Sequence, residues 1–282
     1  MTKFAKCTVF FLLAALFSAS AFAMVEIKKE KNMTKEELRV TSFLDYPPFG
    51  NYANPPYRET FDSVFRSLIE EYAPKHNFEL AYVINKNYPV LVRDVRRGEI
   101  DVLLGMYHET KIYNGLEYIF PAVVNNPLVV IMLPGRIHEV STKSDLKKLR
   151  GVMNAHEHIS DYVAGELKSY NIKKFDKSVD VYEQLFTGKA DYVLGSLYFN
   201  MIETSKLGLR SKVSFSKQAL WNMPMFIGVS KLSRNKKMLI KTLEALMEKP
   251  ETRTNINNRL RDMVMQAEKD YIGVVPPAYT KK

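Results

Sequence analysis

The sequence predicts an α/β fold of two doubly wound lobes joined by a two-stranded hinge. Three observations carry this. Strand and helix patterns alternate twice along the chain, before and after Pro127. An octapeptide pattern, GxxDxxLG, occurs once in each half, as GEIDVLLG from Gly98 to Gly105 and GKADYVLG from Gly188 to Gly195. After Trp221 a strand pattern, MFIGVS, and two helical patterns remain, enough to return the chain to its first half.

The N-terminus sets the compartment. Lys3 and Lys6 precede an apolar run from Val9 to Phe17, and Ala21-Phe22-Ala23 supplies the small residues of a cleavage site. This is the pattern of a secretory signal peptide over residues 1–23. The run is shorter than the roughly 20 apolar residues a spanning helix needs. Cys7 lies inside that leader, so the mature chain has no cysteine for disulfides, thiol catalysis or thiolate metal sites. Removal of the leader leaves more than a single core usually holds, which suits two domains. The formal charge is +10. Its lysines and arginines are interleaved with acids, as in RDVRRGE and MLIKTLEALMEK, so they read as solvated faces and no nucleic-acid partner is expected.

Residues 24–37 are polar and lysine-rich, a flexible leader. LRVTSF is the first strand, ending in the breaker run DYPPFGNYANPP. Phe61, Val64, Phe65, Leu68, Ile69 and Tyr72 recur at steps of three and four, one stripe of a helix that Pro74 should stop. Phe78 to Ile84 alternates as a strand, a helix follows from Pro89 to Arg97, and IDVLLGM is a continuous apolar strand suited to the centre of a parallel sheet. The grammar then repeats: LVVIML, a short helix at Asp145 to Leu149, GVMNA, a helix from Ile159 to Lys168, IKKF, and a helix from Val179 to Phe186. Helices over Lys236 to Met247 and Thr252 to Lys269 complete the chain. The expected domains are residues 38–124 with 223–282 as the first lobe and 125–222 as the second, with two crossovers as the hinge. Gly98 and Gly188 fit left-handed helix ends. Gly105 and Gly195 sit at carboxyl ends of strands, where ligands bind in open α/β sheets, and a structural role and a cleft-lining role both remain open for them.

In order and spacing, LRVTSFLDYPPFGNY, RRGEIDVLLGMYHET, DLKKLRGVMNA, LFTGKADYVLGS and PMFIGVSK resemble the periplasmic solute-binding proteins of polar amino-acid ABC transporters, the type II periplasmic-binding fold. The resemblance implies a Venus-flytrap protein of the periplasm that captures a small-molecule ligand between its lobes and presents it, as a monomer, to an ABC permease in the inner membrane. Two departures stand out. Tyr113 occupies the place of the arginine that pairs the ligand carboxylate in this family, and Ser196 the place of the aspartate that meets the ligand ammonium. An ordinary α-amino acid would then leave both its charges without partners, at several kcal/mol each by order of magnitude. Lys111 is a candidate point charge in place of the arginine, without its bidentate geometry.

Candidate ligand contacts are Asp45, Tyr46, Phe49, Gly105, Met106, Tyr107 and Thr110 from the first lobe, and Asn154, His156, His158 and Ser196 from the second; Trp221 fits cleft or core equally. His156 or His158 against an anionic group would make affinity fall as pH rises past about 6.5. The cluster NAHEHISDY lacks the i, i+4 histidines of a metalloprotease helix, and neither GxSxG, GxxxxGKS nor GxGxxG occurs. No metal, no cofactor and no catalysis are expected. The alternatives are a ligand sensor whose partner is a receptor, and a dehydratase-like enzyme on the same fold acting on a small carboxylate with Glu109 or Glu157 as proton donor.

Overall fold

The computed structural model describes residues 35–42, 46–52, 61–84, 88–108, 114–136 and 140–279. The signal peptide and nearly all of the flexible leader lie outside them, as do Asp45, Glu109, Thr110, Lys111 and Tyr113. No described helix is long and apolar enough to cross a membrane.

Two five-stranded mixed sheets organise the described chain. The first holds β1 (Glu36–Ser42), β4 (Phe78–Tyr82), β5 (Val102–Tyr107), β6 (Leu116–Asn125) and β12 (Pro224–Ser230), in the order β4-β1-β5-β12-β6. The second holds β7 (Leu128–Met132), β8 (Gly151–Asn154), β9 (Ile172–Phe175), β10 (Tyr192–Ser196) and β11 (Ser214–Phe215), in the order β9-β8-β10-β7-β11. The two orders are equivalent. In each, the first strand of a βαβαβ run lies parallel between the other two, and a strand from another pass closes antiparallel on the third. All six residues of β5 and all five of β10 are buried, as continuous apolar runs at a sheet centre require. A small hairpin, β2 (Asn51–Tyr52) with β3 (Phe61–Asp62), stands apart.

The repeat extends to side chains. Arg39 donates from its backbone N and Nε to Asp101 Oδ2, both at 3.0 Å, and from its guanidinium to the Gly98 carbonyl at 2.8 Å. Arg150 does the same to Asp191 Oδ2, at 2.8 and 3.0 Å, and to the Gly188 carbonyl at 3.0 Å. Gly98 and Gly188 have φ of 72° and 71°, the left-handed conformation that frees their carbonyls to face these arginines.

Helices α1 (Arg66–Lys75) and α2 (Tyr88–Arg96) belong to the first half. In the second half α3 (Asp161–Leu167), α4 (Ser178–Phe186) and α5 (Leu197–Lys206) follow β8, β9 and β10; α6 (Lys236–Met247) and α7 (Pro250–Asp270) end the chain. Helix α1 departs from the sequence pattern at both ends. Phe61 pairs in the hairpin, and the chain turns at Ser63, whose hydroxyl donates to the Phe49 carbonyl at 2.7 Å while its carbonyl accepts from Arg66 N. The helix therefore starts five residues into the apolar stripe. Pro74 lies inside its last turn, and Asn77 at φ 61° ends it. The segment Asp145–Lys148 is a single 3-10 turn. Helix α5 and strand β6 carried no clear sequence signal: α5 buries Asn200, Thr204 and Ser205 beside Phe199 and Ile202, which blurs its apolar period.

Two crossovers lie side by side between the sheets. Asn126 N donates to the Met223 carbonyl at 2.9 Å and Leu128 N to the Trp221 carbonyl at 2.8 Å, so the outgoing and returning chains pair as a two-stranded hinge. One buried apolar cluster runs from the first sheet past this hinge to Leu194 and Phe199 in the second half.

Candidate functional site

The site is built around a tyrosine fixed by its own loop. After β1, Tyr46 N donates to the Gly50 carbonyl at 2.7 Å, and Phe49 N and Gly50 N return to the Tyr46 carbonyl. Ser42 and Ser63 hydroxyls both donate to the Phe49 carbonyl, at 3.0 and 2.7 Å, tying this turn to the end of β1 and the approach to α1. The Tyr46 side chain, wholly buried, reaches into the second half.

Its hydroxyl lies 2.6 Å from Glu157 Oε1 and 2.6 Å from Ser196 Oγ, receives a hydrogen bond from Asn126 Nδ2 at 3.2 Å, and is 3.4 Å from the His158 carbonyl. Asn126, on the hinge, also donates to Tyr107 Oη at 2.8 Å. Glu157 accepts from Ser196 N at 3.0 Å and from Asn200 Nδ2 at 3.1 Å, and Tyr182 Oη donates to Asn200 Oδ1 at 3.0 Å. A polar chain thus runs from Tyr107 on β5 through the hinge and Tyr46 to Glu157, Asn200 and Tyr182. The Tyr46 ring stacks on Phe199 with centroids 5.1 Å apart and meets His158 edge-on at 4.7 Å, with Phe49 5.9 Å away. Both walls stand at carboxyl ends of strands β1, β8 and β10.

Burial decides the electrostatics. It raises the Glu157 carboxyl above the ordinary carboxylate range, against the hydrogen bonds from Ser196, Tyr46 and Asn200 that favour its charged form. Burial, then the Glu157 carboxylate, pushes the Tyr46 phenol well up. His158 is lowered to about 4, by burial first and His156 second.

Of the residues singled out from sequence, Tyr46, Phe49, Tyr107, His158 and Ser196 gather round this point. Asn154 supports it: its Oδ1 accepts from His156 N at 2.8 Å and its Nδ2 donates to Ser178 Oγ at 3.0 Å, shaping the loop that carries Glu157. His156 is exposed, whereas Glu157 between the histidines turns inward. Gly105 and Gly195 are places of close approach. A Cβ at Gly105, where φ is 71°, would collide with the Phe65 ring, and one at Gly195 with Asn200 and Glu157. Met106 packs against Gly228 within the first sheet. The Trp221 ring is engaged elsewhere: Nε1 donates to Glu166 Oε2 at 2.7 Å, Lys143 Nζ lies 4.6 Å over the ring, and Tyr170 meets it edge-on. Asn126, Asn200 and Phe199 were not anticipated. The one available signal was position, since Asn126 abuts the hinge and Phe199 and Asn200 follow the second GxxDxxLG directly. Among the described residues no group of three or more His, Cys, Asp or Glu is placed to hold a metal ion.

No family model matches the chain, and no curated protein matches it. Solved structures do. A putative binding component of an ABC transporter from Wolinella succinogenes DSM 1740, complexed with lysine, superposes with a TM-score of 0.63 at 16% identity, covering 81% of this chain and 95% of that one. The ancestral amino-acid-binding protein AncCDT-1, a precursor of cyclohexadienyl dehydratase, gives 0.59 at 14% identity over 79% and 94%. A histidine kinase sensor domain with similarity to periplasmic binding proteins gives 0.57 at 12% identity over 86% and 99%. With equivalent sheets, a paired hinge and these likenesses together, the chain has the type II periplasmic-binding fold and in that fold resembles the amino-acid-binding proteins of ABC transporters.

Proposed function

We propose that this is an exported solute-binding protein that captures a small organic solute between two lobes, 38–124 with 223–282 and 125–222, and hands it to an ABC permease in the inner membrane. The observation that carries the reading is the polar chain centred on Tyr46 Oη, which joins first lobe, hinge and second lobe through buried hydrogen bonds at strand carboxyl ends. A group placed there touches both lobes at once, so it stabilises the closed form by its differential affinity for it. In this reading the signal peptide over residues 1–23 directs the mature protein to the periplasm. Tyr46, Phe49, Tyr107, His158 and Ser196 are the contacts in this reading, joined by Glu157 and Asn126.

A second reading rests on one observation. Glu157 is a carboxyl raised by burial in the cleft, the environment of a proton donor, as in a dehydratase-like enzyme acting on a small carboxylate. One experiment separates the two. Mature protein is screened by thermal shift against amino acids, amines, small carboxylates, sugars and short peptides, and each compound that raises the melting temperature is then quantified before and after incubation. Binding predicts depletion equal to the protein present and recovery of the same compound on denaturation. A product accumulating beyond one equivalent overturns it in favour of the enzyme.

A further inference from the structure

A cavity of about 510 Å³ opens in the first half, between helix α1 and the turn that joins α6 to α7, and shares no residue with the cleft around Tyr46. Its size lies within the roughly 300–1,000 Å³ of small-molecule sites. The sequence explains its walls. Leu68 and Tyr72, four residues apart on α1 and both buried, line it together with Leu246 on α6 and Ile256 on α7. The Tyr72 hydroxyl is already engaged, 2.5 Å from Thr242 Oγ1, and its ring stacks on His76 with centroids 4.4 Å apart. Tyr72 therefore brings apolar ring, and no open polar atom, to this wall.

The polar groups gather at the start of α7. Helix α6 ends at Met247, and Pro250, which cannot continue a helix but suits a first position, opens the next. Lys249 at its N-cap supplies no side-chain cap, so the positive end of this 21-residue helix is left open. Thr252 lines the cavity at 9% exposure, and its hydroxyl has no hydrogen-bond partner among the described residues. A polar atom on a side chain this buried ordinarily has one. Lys249, also on the cavity, forms no ion pair among the described residues and acts on Glu71 only from beyond ion-pair distance. The acids on the rim are Glu71, which accepts from Lys75 Nζ at 2.6 Å, and the exposed Glu251. A hydroxyl donor, a helix N-terminus and a lysine ammonium thus meet at one end of an apolar cavity, a combination that favours an anionic group there.

We propose that this cavity is a second binding site, separate from the cleft, for a small aromatic carboxylate. The ring lies among Leu68, Tyr72, Leu246 and Ile256, and the carboxylate meets Thr252 Oγ1 and Lys249 at the start of α7. The site uses neither hinge nor cleft, so it stands or falls apart from the clamshell reading.

The probes are 3-phenylpropionate and its neutral amide, titrated calorimetrically into the wild-type protein, Ala245→Trp, Thr252→Val and Tyr46→Phe. Ala245 is an exposed residue of the cavity wall, so an indole there fills the mouth without entering the core. The wild type should bind the carboxylate at least ~10-fold more tightly than the amide. Ala245→Trp should abolish this binding, and Thr252→Val, which keeps the shape and removes the hydroxyl, should weaken it by about 10-fold. Circular dichroism checks that each variant folds; should Ala245→Trp not fold, Thr252→Val carries the decision. Equal affinity for carboxylate and amide, no binding of the carboxylate at millimolar concentration, or an affinity untouched by Ala245→Trp and Thr252→Val overturns the site. A loss confined to Tyr46→Phe also overturns it, by placing the carboxylate in the cleft.

Discussion

Six positions of sequence, from His156 to Asp161, concentrated the ionisable side chains, and the fold uses the one between the two histidines. The histidines were expected to meet an anion and be weakened by rising pH. The structure gives His158 the opposite character. Burial and the neighbouring His156 lower it to about 4, so in the folded protein it stays neutral where the unfolded chain takes up a proton. Its contribution to stability is complete above about 6.5 and is lost as pH falls toward 4, by on the order of 3 kcal/mol for a shift of this size. Glu157, raised by burial, acts with the other sign, because the folded state binds its proton above the ordinary carboxylate value. Urea unfolding of wild type and His158→Gln at steps between pH 4 and 7 separates the two. The variant should lose less stability on acidification, and parallel profiles would show that His158 does not titrate this way. The cluster was legible because unlike charges crowd there. Which member turns inward was not, since that depends on the Asn154 side chain accepting from His156 N.

Elements were most legible where one strand is buried on both faces. The runs at β5 and β10 and the paired GxxDxxLG located equivalent strand corners without any knowledge of their partners. The arginines that complete those corners lie 62 and 41 residues upstream of their aspartates, a separation no local pattern spans. Helix α5 escaped for a different reason, because its buried face is partly polar and serves Glu157 through Asn200. The two corners are not equal in consequence. Asp101, 5% exposed, also accepts from Ser233 Oγ at 2.8 Å, whereas Asp191 faces solvent at one side and its arginine is exposed. Leaving a buried donor such as Ser233 Oγ without its acceptor costs about 1–3 kcal/mol, and an exposed ion pair contributes about 1 kcal/mol or less. Asp101→Ala should therefore unfold at clearly lower urea than Asp191→Ala. Equal midpoints would mean that Arg39 and Ser233 find other acceptors.

At the scale of the whole molecule, two halves and a paired hinge were foreseen, but everything after position 222 was expected to belong with the first. Its last residues lie against the second half instead. Glu268 near the end of α7 accepts from Arg210 Nε at 2.8 Å, a Cβ at Gly208 would collide with the Val274 carbonyl, and the Tyr279 ring stacks on Phe186 at 5.2 Å with its hydroxyl 3.3 Å from the Val179 carbonyl. Helix α7 also packs on β6 of the first sheet, so this tail is a third tie between the halves, of a kind that only tertiary contacts reveal. Opening the cleft must either carry the end of α7 with the second half or break those contacts. An aromatic pair adds about 0.5–1.5 kcal/mol and an exposed ion pair less than about 1 kcal/mol, enough together to shift a two-state closure several-fold. The double variant Glu268→Ala with Tyr279→Ala should thus populate an open form. Small-angle scattering would register this as a larger radius of gyration than the wild type's, and a saturating ligand should reverse it. An unchanged radius in the variant would mean that the tail rides with the second half through the motion and restrains nothing.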